Sequence, residues 1–503
     1  MALKNISKSR FIAGLQCEKR LWLELHKRDL MNETTESKQF IFDQGHDIGE
    51  LAQKLFPGGV LIDEEYFKTA EAVKSTEKAI QSGASCIYEA TAQFGRYLAR
   101  ADILKRVHDS KNEWDIFEVK SGSHEDKQVY LDDLAIQKMI FEGAGFVIRN
   151  THLITIDTDY VRQGDIEINK LFLITDQTKP VSDICKNLPA KMKRFLEVAD
   201  TFKEPRISIS NQRCYSPYDC PFIDYCWKGM PEDSIFTLAN DRKKIADNLF
   251  PKGIVKIADI PDDAPLSIKQ RRQVEVARTG KPYWDTGEIE EFLKDLEYPL
   301  CFLDFETYCP AIPPYDGLRP YRQIPFQYSL HILTKPNGEL NHYEFLADGQ
   351  RDPRELFMDE LLKVIGEKGS VVVYSSFEQS RLNDLAEWYP RFSTDIWAII
   401  KRISDLTVPF RNQDILYPEF LGSYSIKAVL PVLVPDMSYD NLEIGEGGAA
   451  SMAYVKLIDP KVLKAEKEKI RKDLLDYCGQ DTLAMVRLVE VLLDKVKKHK
   501  EKL

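Results

Sequence analysis

Three residues in the first half of the chain, Asp102, Glu118 and Lys120, have the side chains that metal-dependent cleavage of a phosphodiester requires. Two carboxylates can hold one or two divalent cations, which polarise the phosphate and lower the pKa of a bound water. A lysine can stabilise the charge that develops on the phosphate oxygens. Glu118 and Lys120 are two positions apart on an expected strand, so both leave the same face. The pattern predicts a phosphodiesterase centre; the plainer alternative is a surface strand that ends in an ordinary acid and lysine.

A second set of acids lies near the other end of the chain. Asp304 and Glu306 alternate along an apolar strand that begins near Leu300. A buried strand tolerates ionised carboxylates only where they are paired or bind a metal ion. Tyr477 and Asp481 are four positions apart on an expected helix, so they share a face and can point into one site. Each pair is therefore a candidate for side chains that act together.

Three of the nine cysteines, Cys214, Cys220 and Cys226, fall within thirteen residues and are spaced by six. Thiolates grouped in this way chelate metal, and a fourth has to come from elsewhere in the chain; Cys17 is the candidate. Four thiolates also suit a tetrahedral zinc site. Unrelated buried cysteines are the plain alternative, and this is the expectation for the remaining ones, Cys86, Cys185, Cys301, Cys309 and Cys478.

The first set of residues resembles the RecB-like branch of the PD-(D/E)XK nucleases. The resemblance implies that His46, on an upstream helix, is a further metal ligand, and that Gln137, on the helix after the lysine, belongs to the site. The tyrosine that the family has four residues later is Phe141 here. One early and three late cysteines resemble the iron–sulfur nucleases of the CRISPR-associated RecB-like and AddB types, although those families often space the first late pair more closely. This implies a 4Fe–4S cluster, with zinc as the rival occupant, on Cys17, Cys214, Cys220 and Cys226.

The second set resembles the DnaQ-like DEDD exonucleases, in their tyrosine-bearing subclass. That resemblance implies that Asp304, Glu306 and Asp481 hold two Mg²⁺ or Mn²⁺ ions and that Tyr477 positions the attacking water. The family's middle motif differs here, because Glu378 stands where an aspartate is expected. A glutamate is one methylene longer and can still ligate, so we expect Glu378 to join the other acids.

The apolar periodicities predict the elements that must position these residues. In the first half the order of helices and strands suits an α/β core with a central mixed sheet. The predicted segments are helices over 11–23, 40–56 and 129–142 and strands over 86–93, 97–107, 114–120 and 146–157. In the second half they are strands from 300 and over 325–333, 341–346 and 370–374, and helices over 352–366, 377–388 and 469–495.

The expected fold class is α/β, with a PD-(D/E)XK restriction-endonuclease-like core followed by a ribonuclease H-like domain with a mixed sheet. At 503 residues the chain exceeds one hydrophobic core. The expected domains are 1–230 for the RecB-like part with its four cysteines and 295–503 for the DnaQ-like part. Prolines near 261 and 282 indicate a helical linker over 231–294, weakly similar to helix-hairpin-helix segments.

Composition fits a soluble protein, with 43% apolar and 30% charged residues. The chain start, Met1 to Asn5, has no apolar secretory core, and no apolar run is long enough for a membrane span, so a cytoplasmic location is expected. A net charge of −11 does not favour nucleic-acid binding by itself, but a basic groove can persist locally. The candidate groove residues, which could equally form solvated faces, are Lys186, Lys191, Lys193, Arg194, Lys401, Arg402, Arg411 and Lys427.

These observations predict a metal-dependent nuclease that degrades nucleic acid from its ends, with DNA expected rather than RNA. A role in DNA repair, recombination or defence is implied by the resemblances alone. Two alternatives stay open. The first is a nucleic-acid-binding or assembly protein in which one or both centres are degenerate. The second is an enzyme that acts on a small phosphate or nucleotide.

Overall fold

The computed structural model describes residues 4–108, 110, 112–122 and 127–501 of the chain. The chain forms two units: the first runs to Lys228 and also contains Ala311–Tyr321, and the second consists of Gly229–Pro310 and the chain from Arg322 onward. Each unit combines helices with a mixed β-sheet, which confirms the expected α/β class. Within the described ranges, no helix is both long and apolar enough to cross a membrane.

The first unit contains one large sheet and the helices packed against it. Its strands are β1 (Ile6–Ser7), β2 (Val60–Leu61), β3 (Cys86–Phe94), β4 (Tyr97–Arg106), β5 (Glu113–Lys120), β6 (Val147–Ile156) and β7 (Phe172–Asp176). Its helices are α1 (Lys8–Gln16), α2 (Glu18–His26), α3 (Glu36–Gln53), α4 (Thr69–Gln81), α5 (Gln128–Gly143), α6 (Ile168–Leu171), α7 (Thr178–Cys185), α8 (Leu188–Asp200), α9 (Asn211–Tyr215) and α10 (Ile223–Cys226), with a 3₁₀ turn at Arg28–Leu30.

The sheet of the first unit has the order β2-β3-β4-β5-β6-β7, and β1 pairs with β4. The pairs β3/β4 and β4/β5 are antiparallel, whereas β5/β6 is parallel. Trp114 and Ile116 of β5 belong to the same buried cluster as Leu134 and Ile140 of α5. Because side chains alternate along a strand, Glu118 continues the row of Trp114 and Ile116 on the face that α5 covers.

The second unit contains a five-stranded sheet, a small two-stranded sheet and a long final helix. Its strands are β8 (Tyr283–Trp284), β9 (Leu300–Tyr308), β10 (Ile324–Leu333), β11 (Leu340–Leu346), β12 (Val371–Val373), β13 (Ile403–Asp405) and β14 (Ile415–Leu416). Its helices are α11 (Ile245–Leu249), α12 (Ile268–Thr279), α13 (Thr286–Lys294), α14 (Pro353–Val364), α15 (Phe377–Trp388), α16 (Ser393–Ile400), α17 (Val408–Asn412), α18 (Ile426–Leu433), α19 (Gly447–Ile458) and α20 (Lys464–Lys500), with 3₁₀ turns at Ile235–Thr237, Phe250–Lys252, Ile257–Asp259, Pro390–Phe392 and Pro418–Phe420.

The five-stranded sheet has the order β11-β10-β9-β12-β13. Strands β11, β10 and β9 are antiparallel neighbours, and β12 and β13 run parallel to β9. Leu300 and Phe302 of β9 share a buried cluster with Leu488 and Leu492 of α20. The next residues on this face of β9 are the acids Asp304 and Glu306, so α20 covers the face that carries them.

Most predicted elements agree with the structure to within a few residues at their ends, as the bounds of β9, β10, α15 and α20 show. The helix predicted over 11–23 is wrong as a single element. Cys17 adopts an extended conformation with φ −160° and ψ 118°, and it separates α1 from α2. The strands predicted over 97–107 and 114–120 correspond to β4 and β5, and residues 109 and 111 between them lie outside the described residues.

The segment predicted as a linker, 231–294, is built into the second unit. Ile235, Leu249 and Val274 are among the buried residues of a hydrophobic cluster that this segment forms. Helix α12 in this segment also bonds to the rest of the unit, since Arg272 donates to the carbonyl oxygen of Gln413 at 2.8 Å. The prolines that indicated a boundary therefore lie in the turns of a folded region.

Candidate functional site

In the first unit, the carboxylate of Glu118 lies between two ammonium groups. Glu118 is 2% exposed. Lys8 Nζ is 2.9 and 3.0 Å from its two oxygens, and Lys120 Nζ is 2.6 Å from Oε1. A buried carboxylate is stable as an ion only when such partners surround it. The structure thus confirms that β5 places Glu118 and Lys120 together, and it adds Lys8, which the sequence analysis did not select.

Helix α5 completes this arrangement. Gln137 donates from Nε2 to Glu118 Oε2 at 2.7 Å, so the predicted Gln137 does reach the acid. Lys120 also bonds to Asp133 Oδ2 at 2.7 Å. Asp133 precedes Gln137 by four residues and therefore lies on the same face of α5. That spacing was a signal for Asp133 in the sequence, but no local pattern pointed to Lys8.

Asp102 lies beside Glu118, on the neighbouring strand β4. Its Oδ2 accepts a hydrogen bond from the backbone N–H of Val119 at 2.7 Å. Burial raises the pKa of Asp102, and Lys8 and Lys120 oppose that effect. Burial also raises the pKa of Glu118 to about 7, with Asp102 and Asp133 adding repulsion. These three acids act on one another, and Lys8 and Lys120 offset part of their negative charge.

A cavity of about 2310 Å³ opens over these residues and is lined by His46, Asp102, Glu118 and Lys120, among others. His46 is exposed on α3 at its rim. Metal ligands have to meet within a few ångströms. In the described part of this cavity, no three carboxylate, imidazole or thiol ligand atoms lie within 4.8 Å of one another. His46 therefore lines the same cavity as the acids, but its imidazole does not form a ligand group with them.

The four candidate cysteines of the first unit come together although Cys17 is almost two hundred residues from the others. The thiols of Cys17 and Cys214 lie close enough to Cys226 to raise its pKa, in addition to burial. Burial raises the pKa of Cys220 to about 11, and Cys214 and Cys226 add to this. A positive centre among them would relieve this repulsion between thiolates.

The side chain of Gln16 fastens the cysteine loop to the end of α1. Its amide donates to the carbonyl oxygens of Arg213 at 2.8 Å and Tyr218 at 2.7 Å. Gln16 directly precedes Cys17. Of its two acceptors, Arg213 directly precedes Cys214, and Tyr218 lies between Cys214 and Cys220. The early and late parts of the cysteine set are therefore held together by hydrogen bonds of the protein itself.

In the second unit, Asp304 and Glu306 of β9 meet Asp481 of α20. Each of the three offers a carboxylate oxygen, and these atoms lie within 4.8 Å of one another. Among the described residues, no other set of three carboxylate, imidazole or thiol groups has ligand atoms this close together. Glu306 and Asp481 are buried, and Asp304 is half-buried. The two pairs predicted from spacing therefore form one site.

Glu378, in the first turn of α15, lies near these three acids, but it is outside the group whose ligand atoms meet within 4.8 Å, so the structure does not place it with them as closely as the sequence predicted. It is 3% exposed, and its Oε2 is buried without a hydrogen-bond partner. Ser375, three residues earlier, has a φ of +149°, which a residue with a side chain rarely adopts. This strained turn sends the chain from β12 into α15 and aims the glutamate inward. A buried carboxylate oxygen with no donor is what a cation would satisfy.

The charges in this pocket repel one another strongly. Burial raises the pKa of Asp304 well above its usual range, and Asp481, Glu306 and Glu378 raise it further. Burial and Asp481 act on Glu306 in the same direction. Burial raises the pKa of Glu378 to about 8, with repulsion from Asp405 and Asp481. Four acids thus share a pocket that favours protons or cations.

Asp481 is the least perturbed of these acids because donors surround it. Burial raises its pKa to about 6, while hydrogen bonds from Tyr439 and Tyr477 and the charge of Lys427 counteract the rise. The hydroxyl of Tyr439 donates to Asp481 Oδ1. Cys478, expected to be an ordinary buried cysteine, lies with Sγ 3.3 Å from Asp304 Oδ2. Tyr439 and Cys478 are therefore parts of the site that the sequence analysis missed.

Three of the eight basic residues proposed for a groove form ion pairs with acids of the chain. Lys186 lies 2.6 Å from Asp183, Arg194 lies 2.8 Å from Glu18, and Arg411 lies 3.1 Å from Asp405. Such surface pairs contribute little to stability and leave little free charge for a ligand. Lys427 differs from these residues, because its charge acts on the acid cluster of the second unit.

Comparison with known proteins gives similarity to sequences whose descriptions carry no activity. Residues 301–425 match a family model described as a domain of unknown function, DUF2779. The chain is 28% identical over 221 residues to the uncharacterized protein UU173 of Ureaplasma parvum, and 26% identical over 221 residues to the uncharacterized protein MG366 of Mycoplasma genitalium. Each alignment covers 39% of this chain and 32% of the relative, so the chain spans about a third of the length of these curated relatives.

The matched segment, 301–425, contains part of the acid site of the second unit. Asp304, Glu306 and Glu378 lie inside it, and Lys427, Tyr477 and Asp481 lie beyond its end. The similarity therefore includes the strand and the helix start that supply three of the acids, and it leaves out the final helix.

Proposed function

We propose that the second unit is a divalent-metal-dependent hydrolase that shortens nucleic-acid strands from their 3′ ends. The observation that carries the proposal is the group of ligand atoms on Asp304, Glu306 and Asp481 within 4.8 Å, and the buried, unpartnered Oε2 of the nearby Glu378 adds to it. Buried acids at this spacing, without enough cations of the protein to balance them, fit the oxygen ligands that Mg²⁺ and Mn²⁺ prefer.

The topology of the second unit supports this proposal. The order β11-β10-β9-β12-β13, antiparallel on one side of β9 and parallel on the other, agrees with the ribonuclease H-like fold that the sequence resemblance implied. Asp304 and Glu306 lie on β9, the central strand of this order. Such an arrangement places acids from one strand and from α20 on one face of the sheet.

The proposed chemistry assigns a role to each side chain. Asp304, Glu306, Glu378 and Asp481 would hold Mg²⁺ or Mn²⁺, which when bound activates a water and stabilises the leaving oxygen. Tyr477 lies beside Asp481 on the same face of α20 and would offer its hydroxyl to orient the water for attack on the phosphorus. The burial of Glu306, Glu378 and Asp481 would limit access to a slender strand end, which favours removal of terminal nucleotides.

For the first unit we propose a RecB-like nuclease domain whose centre is Asp102, Glu118, Lys120 and Gln137. The convergence of these side chains on one cavity supports it. One observation favours the alternative of a centre that grips a strand without cutting it: Lys8 bonds to both oxygens of Glu118 and thus takes the place that a divalent ion needs. Activity of variants in each unit distinguishes the two.

The cysteine set fits a 4Fe–4S cluster better than zinc. With Zn–S bonds of about 2.3 Å, the sulfur atoms of a tetrahedral site lie about 3.8 Å apart. No three of the four thiols, all within the described residues, lie within 4.8 Å of one another. A cluster has irons and sulfides between its thiolates and therefore suits wider spacing.

Protein purified without oxygen is expected to contain about four irons and four sulfides per chain and little zinc. Elemental and sulfide analysis measures this. Cys220→Ser is expected to lose most of the iron, and Cys185→Ser, a change at a half-buried cysteine outside the set, is expected to keep it. Equal iron in both variants would remove the cysteine set from the proposal.

A strand-shortening assay tests the proposed activity. With a 5′-labelled single strand of DNA or RNA, Mn²⁺ is expected to yield a ladder of products shortened from the 3′ end, and EDTA is expected to stop it. Activity that survives Asp102→Asn and disappears in Asp304→Asn belongs to the second unit. Release of phosphate or nucleoside from mononucleotides, with longer strands left intact, would replace the proposal by a small-nucleotide hydrolase.

A further inference from the structure

Lys427, in the first turn of α18, lies at the edge of the acid site between two tyrosines. Its Nζ is 5.4 Å from the centre of the Tyr477 ring and 5.6 Å from the centre of the Tyr439 ring. The same atom donates to the carbonyl oxygen of Gly445 and, at 3.4 Å, to the hydroxyl oxygen of Tyr477. An ammonium over two aromatic rings is held by both of them. Lys427 therefore has a defined place beside the catalytic candidates.

This place determines the direction of the Tyr477 hydroxyl. A phenol has one hydrogen to donate and an oxygen that accepts. Because an ammonium can only donate, the bond from Lys427 occupies the oxygen of Tyr477 and turns its hydrogen away from Lys427. Asp481, four residues later on the same helix, is close enough for the Tyr477 hydroxyl to lower its pKa. Tyr439 occupies Asp481 Oδ1 from another direction.

We propose that Lys427 is a positioning residue, which fixes the Tyr477 hydroxyl so that its hydrogen faces the acid cluster and the water that attacks there. This inference rests on the proposed function of the second unit. It assigns Lys427 an effect on the rate of the chemical step through Tyr477, and no direct contact with the substrate.

The first test compares Lys427→Met with a matched control. Lys427→Met keeps the length and apolar body of the side chain and removes the donor. We expect kcat for strand shortening in Mn²⁺ to fall about 100-fold, the loss typical of a misplaced reacting group, while KM changes less than about threefold. Lys495→Met removes another half-buried lysine of the same unit, whose Nζ is 4.6 Å from the Trp284 ring, and is expected to leave both constants unchanged.

Two further variants separate positioning from a merely structural role. Lys427→Arg keeps a charged donor and is expected to recover part of the lost kcat. In a Tyr477→Phe background, which lacks the hydroxyl, Lys427→Met is expected to change kcat less than about threefold further, because residues that act through one group are not additive. Mn²⁺-dependent melting temperatures show whether each variant is folded.

The outcomes distinguish a positioning role of Lys427 from direct contact with the phosphate and from failure of the proposed function. An equal loss of kcat from Lys427→Met in both backgrounds, or a loss confined to KM, would mean that Lys427 contacts the phosphate itself and would overturn the inference. An unchanged kcat would overturn it as well. Should Lys427→Met not fold, additivity of Lys427→Arg with Tyr477→Phe provides the same decision. Strand shortening that is absent in the wild type, or that survives Asp304→Asn, would instead defeat the proposed function of this unit, and the inference with it.

Discussion

Asp481→Asn is expected to lower the rate of metal-dependent strand shortening about 1000-fold or more, the scale on which a preorganised electrostatic group acts. Asp481 offers its oxygen to the same point as Asp304 and Glu306 and also accepts from Tyr439. The amide of asparagine has one neutral acceptor oxygen and lacks the charge that holds a divalent cation. Initial rates in Mn²⁺ measure the loss.

The same change is expected to stabilise the metal-free protein above about pH 7. Repulsion from Asp481 raises the pKa of Asp304 and Glu306, so removal of its charge relieves both acids. Asp476→Asn is the control, because Asp476 lies on the same helix and is exposed. Thermal unfolding in EDTA provides the measurement. A rate within tenfold of the wild type, or a lower melting temperature at pH 8, would contradict the assignment of Asp481 as a ligand.

Binding of Mn²⁺ is expected to tighten as the pH rises from about 6 to 8. Metal ligands have to be deprotonated, and burial raises the pKa of Asp481 to about 6 and that of Glu378 to about 8. Each proton that the metal displaces makes the affinity rise about tenfold per pH unit below the pKa of its group. Calorimetric titration in buffers of different ionisation enthalpy measures both the affinity and the protons released.

The free energy of unfolding of the metal-free protein is expected to fall as the pH rises, whereas the affinity for Mn²⁺ increases. A carboxyl whose pKa is raised on folding contributes stability that is complete below its unfolded pKa, about 4, and is lost as the pH rises through the folded value. For Asp481 this loss of stability extends through about pH 6, and for Glu378 it extends through about pH 8. Mn²⁺ at 100 times its dissociation constant adds about 2.7 kcal/mol to the free energy of unfolding.

Melting temperatures with and without Mn²⁺ at pH 6 and pH 8 test this pair of trends. We expect the stabilisation at a fixed Mn²⁺ concentration to be larger at pH 8, and to be nearly absent in Asp304→Asn at both values. The matched control is Asp476→Asn, which is expected to behave as the wild type does. A stabilisation of equal size in Asp304→Asn would place the cation elsewhere in the chain.

The second centre could be predicted from sequence because its spacing is local. Alternation puts Asp304 and Glu306 on one face of β9, and a separation of four puts Tyr477 and Asp481 on one face of α20. Apolar residues that precede the acids on β9 and follow Asp481 on α20 then bring the two faces together. The sequence predicted Lys427 only as a candidate groove residue, because its contact with Tyr477 spans fifty residues and depends on the path of α18.

The first centre shows where sequence reasoning stops. Glu118, Lys120 and Gln137 are brought together by a strand and the following helix, a unit that periodicity describes well. Lys8 reaches Glu118 across 110 positions, through the pairing of β1 with β4. An isolated lysine near the chain start resembles any surface lysine. The break of the helix at Cys17 was missed for a related reason, since the residues on both sides have good helical periodicity.

Lys8, a counter-ion of Glu118, is part of the protein chain, so a chelator cannot remove it. Agents that strip dissolved cations leave Lys8 where it is, since Ser7 caps the helix that Lys8 begins and Ile6 and Ser7 pair with β4. Exchange of this tethered ammonium for a free ion requires the Lys8 side chain to leave both oxygens of Glu118. A tag fused ahead of Ile6 therefore adds bulk beside the segment whose pairing with β4 brings Lys8 to Glu118.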